Sequence, residues 1–101
     1  MSTTEERQEN HLLVRLEGAV TFASTDDLKR IFLEGLASGK HLQVDLERAE
    51  EIDVTVMQLL LAAEREAVRA GVGMVSRVSE AVAKTARDAG FARFPGTLTR
   101  E

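Results

Sequence analysis

Residues 41–71 read HLQVDLERAEEIDVTVMQLLLAAEREAVRAG, and the apolar period changes once along them. Leu42, Val44 and Leu46 alternate with other side chains, the two-residue period of a strand with one face on a core. An acidic connection follows as far as Asp53, and then Val56, Leu59, Leu60, Ala63 and Ala67 recur at three- and four-residue spacing. That is one face of a helix running from about Thr55 to Ala70, closed by Gly71. Thr55-Val56-Met57-Gln58 has the spacing of a capping box, so Thr55 is expected to cap the helix while Gln58 reaches back to it. The opposite stripe, Thr55, Gln58, Ala62, Arg65, Glu66 and Arg69, is expected to face solvent, with Ala62 small enough to let a partner approach.

The same alternation of periods continues outward in both directions. Upstream, Leu12, Val14 and Leu16 mark a strand that Gly18 should break. Ser24-Thr25-Asp26-Asp27 then places a capping hydroxyl and two carboxylates at the electropositive start of a helix carrying Leu28, Ile31, Phe32 and Leu36, which ends near Gly39. Downstream, residues 72–76 form a short apolar strand, and residues 79–89 a helix stopped by Gly90. Residues 7–10 are polar and offer at most a short edge strand, while Pro95 and the tail are expected to lie outside the core. Strands alternating with helices at this spacing imply right-handed crossovers, hence an α/β fold with a mostly parallel sheet and helices packed on it. One domain over residues 1–101 is expected, with its core at about 11–91 between a polar N-terminal lead-in and a C-terminal tail.

Composition narrows the function classes. Hydrophobic residues make up 44% of the chain and charged residues 30%, as in an ordinary globular domain. With 17 acidic against 13 basic residues the formal net charge is -4, and no Lys/Arg cluster stands out, which argues against nucleic acid as a partner. The absence of Cys excludes disulfides and thiolate chemistry and fits a reducing compartment, so a cytoplasmic location is expected. MSTTEERQEN is not a secretory leader, and the apolar run 59–63 is far below the ~20 residues a membrane span needs, so no direct membrane insertion is expected.

Familiar catalytic and cofactor signatures are missing. Neither Gly-x-Gly-x-x-Gly nor Gly-Lys-Ser/Thr stands between a strand and a helix, and Gly71-Val72-Gly73 reads as a helix stop and tight turn. His11 and His41 each open a strand without a second ligand at metal spacing. The acidic run Asp45, Glu47, Glu50, Glu51 and Asp53 reads as a solvated loop, because a receiver-type Mg²⁺ site also needs an acidic pair after the first strand and a later lysine. No metal, cofactor or catalytic residue is expected.

Together, Leu16-Glu17-Gly18, Val44-Asp45-Leu46, Ile52-Asp53-x-Thr55, Ala70-Gly71-Val72-Gly73-Met74 and Asp88-Ala89-Gly90-Phe91 resemble, in order and spacing, the STAS domain family, the fold of bacterial anti-sigma factor antagonists. The resemblance covers residues 12–91. The family signature is Asp-Ser-Ser/Thr-Gly at the head of the second helix, and its second hydroxyl is phosphorylated by a partner kinase that is also the anti-sigma factor. By position the Asp falls on Asp53 and the acceptor hydroxyl on Thr55, whereas Val54 stands where a serine is usual and Val56 where the glycine is usual. The resemblance thus implies a non-enzymatic regulatory module that binds a serine/threonine kinase through Asp53, Val54, Thr55, Gln58, Ala62 and Arg65, with Thr55 as phospho-acceptor. Two alternatives keep the fold: an accessory subunit of an ABC-type lipid transport system, where Thr55 is structural, and an adaptor for two-component or chemotaxis signalling.

Overall fold

In the computed structural model, which describes residues 2–98, the chain folds around one sheet. Met1 and residues 99–101, the extremities of the expected lead-in and tail, lie outside the described residues. The strands are β1 (Ser2–Arg7), β2 (His11–Val20), β3 (His41–Leu46), β4 (Ala49–Ile52), β5 (Met74–Val78) and β6 (Thr97–Leu98), and the helices are α1 (Thr25–Ala37), α2 (Val54–Ala70) and α3 (Glu80–Asp88). The order across the sheet is β1-β2-β3-β5-β6, with β4 paired to the far end of β2. Among the described residues only β1–β2 is antiparallel; β2–β3, β2–β4, β3–β5 and β5–β6 are parallel, as the α/β reading requires.

Alternation decides which face is buried. Leu12, Val14 and Leu16 of β2, Leu42, Val44 and Leu46 of β3 and Met74 of β5 are buried, and so are Leu28, Ile31 and Phe32 of α1, Val56, Met57 and Leu60 of α2 and Val82 of α3. Gly35 lets α1 lie close to the sheet: a Cβ there would stand 2.7 Å from Leu12 Cδ2 and 3.1 Å from Leu42 Cδ2. The intervening side chains Leu13, Arg15, Gln43, Asp45, Val75 and Arg77 line an open cleft. Within it Arg15 Nε donates to Asp45 Oδ2 at 3.1 Å, and Arg77 Nε lies 2.7 Å from Glu47 Oε1. Two members of the acidic run are therefore tied to arginines. Among the described residues, no group of three or more His, Cys, Asp or Glu side chains is arranged to hold a metal ion. None of their helices is long and apolar enough to cross a membrane.

Four expectations need correction. The N-terminal lead-in is a strand, Ser2–Arg7, and residues 8–10 are its turn; backbone pairing with β2 makes it, so its polar side chains carried little signal. Gly18 does not end β2, because the strand absorbs it as an irregularity at Gly18/Ala19 with φ of 80° at the glycine and pairs with β4 beyond it. The acidic connection is itself β4: Ala49 and Ile52 are buried while Glu50 and Glu51 are exposed. The third strand and helix are found, though β5 begins two residues later than the apolar run, at Met74, with His41 Nδ1 accepting from Gly73 N–H at 2.8 Å just before it.

The fourth correction concerns the C-terminal segment, which is part of the core rather than outside it. Phe94 is buried at 4% exposure, Ser76 Oγ donates to Pro95 O at 2.7 Å, and Thr97–Leu98 extends the sheet. Glu64 of α2 straps this segment down, accepting from Arg93 Nη1 at 2.8 Å, Arg93 Nη2 at 2.5 Å and Gly96 N–H at 2.6 Å. The Arg93 guanidinium, helped by the Gly96 N–H, holds the Glu64 carboxyl below the usual carboxylate range.

Phe94→Ala should lower unfolding stability by about 3 kcal/mol in urea titrations, the usual cost of emptying a buried Phe site. Because the folded-state pKa of Glu64 is lowered, its contribution is complete above the ordinary Glu value and lost as pH falls through the folded value. Wild type should therefore be more stable than Glu64→Gln near neutrality, with the gap closing as pH falls below the ordinary Glu value and through the lowered folded-state value.

Candidate functional site at the head of α2

Two parallel strands deliver the site. β2 and β4 run side by side with Val20 opposite Ile52, so the connections that leave them, toward α1 and α2, emerge at the same end of the sheet. Ligands of open α/β sheets bind at that end, beyond the carboxyl ends of the strands. Asp53 ties the two connections together. Its N–H donates to Val20 O at 3.1 Å, continuing the ladder by one bond, and its Oδ2 accepts from Phe22 N–H at 2.7 Å.

This geometry overturns the expected capping box. The N-cap of α2 is Asp53, in extended conformation at φ -78° and ψ 152°, and no side chain caps the helix. The helix starts at Val54, so Thr55 is its second residue and its hydroxyl lies too far along to cap. Asp53 is of a type well suited to capping, but its carboxylate turns to the neighbouring connection instead. At α1 likewise Ser24 makes no side-chain cap, and Thr25 Oγ1 donates to Phe22 O at 2.7 Å. By contrast Ser79 does cap α3, accepting from Val82 N–H at 3.2 Å.

The remaining expected site residues lie where the helical period puts them. Val54, Thr55, Gln58, Ala62 and Arg65 are all exposed, and Asp53 is half-buried beneath them. With a rise of 1.5 Å per residue, Thr55 to Arg65 spans about 15 Å of helix surface. The core face differs at one position: Met57 is buried and Leu59 only partly so. Leu59 and Ala62 instead help to wall an apolar groove of about 120 Å³ between α1 and α2, with Leu33, 51% exposed, on the facing helix. The site also holds a residue that sequence reasoning missed. Phe22, in the 3-10 turn Phe22–Ser24 between β2 and α1, is 67% exposed. Its one signal in the sequence is a large aromatic among the small residues Thr21, Ala23 and Ser24, just after an alternating strand.

Comparison with known proteins agrees with this architecture. The sequence model of a family described as "Mlab, STAS domain" matches residues 3–99. No curated protein sequence matches. Among solved structures, the anti-sigma factor antagonist SpoIIAA in its unphosphorylated form superimposes with a TM-score of 0.80 at 14% identity, covering 99% of this chain and 89% of that one. The Bacillus cell fate determinant SpoIIAA in the phosphorylated form gives 0.76 at 16% identity, over 99% and 93%. A Ser→Glu variant of Moorella thermoacetica RsbS gives 0.78 at 21% identity, over 100% and 88%. At these identities the likeness is one of fold.

The hydrogen bonds separate Asp53 from Thr55 energetically. Asp53→Ala should cost about 1.5–3 kcal/mol, the range for a hydrogen bond to a charged group, whereas Thr55→Ala should change stability by less than about 0.5 kcal/mol. Equilibrium urea unfolding of both variants checks the pair, and a loss of about 1 kcal/mol at Thr55 would restore the capping role.

Proposed function

Because this chain belongs to the STAS domain family, we propose that it is a non-enzymatic regulatory interaction module of the anti-sigma factor antagonist kind. It docks a protein partner on the head and outward stripe of α2. The partner is a serine/threonine kinase acting as an anti-sigma factor, and Thr55 is the hydroxyl it phosphorylates. The observation that carries this reading is Thr55 itself: exposed, in the first turn of α2, two residues after Asp53, and without a capping role to occupy it.

Charge explains how such a switch works. A phosphate on Thr55 adds about -1.5 to -2 charges at a helix N-terminus, whose dipole tolerates them, so the fold survives. The new charge also sits near Glu50, Glu51 and Asp53, on a surface a partner must dry in order to bind. Association is lost while folding is kept. The resemblance of this fold to both the unphosphorylated and the phosphorylated form of SpoIIAA supports a switch acting through surface chemistry rather than refolding.

A second reading has one specific observation in its favour. Val54, 48% exposed where the family signature usually has a serine, suits a permanent apolar contact of the kind an ABC-transport accessory subunit makes, with Thr55 unmodified. Affinity capture with wild-type, Thr55→Ala and Thr55→Glu baits, followed by mass spectrometry of the captured proteins and of Thr55, separates the two. The kinase reading expects wild type and Thr55→Ala to hold the same kinase, and Thr55→Glu, with an unchanged melting temperature, to lose it by roughly tenfold or more. Equal retention by Thr55→Glu would overturn the switch, and a transporter ATPase held without Thr55 phosphate would establish the second reading.

A further inference from the structure

We propose that Phe22 is the apolar anchor of the partner contact, and that the partner meets it with an apolar pocket rimmed by Lys or Arg side chains. The proposal rests on the partner-docking reading of the α2 head and extends its footprint across the sheet end to the β2–α1 connection. Phe22 is the largest of the four large apolar side chains exposed among the described residues, the others being Leu33, Val54 and Val68. Its backbone is held on both sides. The N–H donates to Asp53 Oδ2 at 2.7 Å, and the carbonyl accepts from the Thr25 hydroxyl at 2.7 Å and from the Thr25 N–H. An exposed aromatic on a pinned backbone loses little freedom when it enters a pocket, which is the property of a binding hot spot.

Phe22 does not stand alone. It follows Val20 by two residues as Val54 follows Ile52, and Val20 and Ile52 are partners across parallel strands, so the two exposed apolar side chains leave the sheet on neighbouring connections. Along these two segments the charged side chains are acidic, the cations next to them in sequence being Arg15, Lys29, Arg48 and Arg65. Asp26 and Asp27, in the first turn of α1, and Glu50 and Glu51, in β4, are all exposed, while residues 16–28 and 49–64 contain no Lys or Arg. An apolar centre with an acidic surround selects a complementary surface: apolar in the middle, basic at the edge. It disfavours nucleic acid and anionic membrane, and it opposes self-association through the same face, where like charges would meet. Asp53 acts here as a positioning residue, because its carboxylate fixes the turn that presents the ring.

The test places p-benzoylphenylalanine in the full-length chain at position 22, at position 58 within the docking stripe, and at Val68 as a distant exposed control. After irradiation in cells, cross-linked peptides are sequenced, and the purified partner is titrated against wild type, Phe22→Ala and Asp53→Asn. The expected result is a cross-link from positions 22 and 58, but not 68, to one protein, the joined peptide at position 22 carrying apolar residues beside Lys or Arg. Phe22→Ala should weaken that binding by roughly tenfold or more with an unchanged melting temperature. Asp53→Asn should weaken it less, and added salt should slow association. A cross-link from position 58 without one from 22, or wild-type affinity in Phe22→Ala, would overturn the anchor and leave the docking reading standing. A cross-link at position 22 to a second copy of this chain, or to an acidic peptide, also overturns it. Absence of any protein cross-linked at 22 or 58 would sink both readings together.

Discussion

The hydrogen bond from Phe22 N–H to the Asp53 carboxylate, 2.7 Å long, joins two parts of the chain 31 residues apart at the point where both leave the sheet. It ties together the two connections that lead into α1 and α2. Together with the bond from Asp53 N–H to Val20 O, it sets where α2 begins, and thereby which residue of Asp53-Val54-Thr55 becomes the first turn and which becomes the cap. It also spends the carboxylate. An Asp at an N-cap ordinarily turns its side chain back onto its own helix; here that side chain holds a neighbouring connection, leaving α2 uncapped by any side chain and Thr55 outside the capping machinery.

Burial of Val56, Met57, Leu60, Ala63 and Ala67 fixes the rotation of α2, so the outward stripe is a consequence of core packing. Glu64 stands at the border between the two faces. Its carboxylate faces Arg93 and the Gly96 N–H, which fastens the C-terminal segment along the helix and lets Phe94 complete the core. Glu64, midway along α2, thus holds the chain's own C-terminal segment, while Val54, Thr55 and Gln58 at the head of the helix are exposed.

Where side-chain period carried the information, the chain was legible. β3, α2 and α3 follow the alternation and the three- and four-residue spacing closely, and the stripe Thr55, Gln58, Ala62 and Arg65 is exposed as the helical period demands. The elements that escaped notice are those made by backbone pairing. β1 is polar, β4 is four residues with only its ends buried, and β6 is two residues long, so none shows a usable period; each exists because a neighbouring strand supplies hydrogen-bond partners. Gly18 misled for the same reason, since a glycine that ends an isolated strand can be a bulge within a paired one.

By itself the sequence determined the class of the fold, the core faces of α1 and, apart from Met57 and Leu59, of α2, the membership of Asp53 and Thr55 in one helix head, and a net negative charge. These follow from local period and composition, which one chain segment expresses without reference to another. Only the tertiary structure decided that Asp53 bonds to Phe22 rather than to its own helix, that Phe22 stands exposed beside the α2 head, and that the C-terminal segment belongs to the core. Each of these depends on the pairing of β2 with β4 or on the approach of residues 93–96 to α2, contacts between segments about 30 residues apart. Spacing along a chain does not encode which distant donor a carboxylate will find, because competing partners are separated only by how the whole core packs.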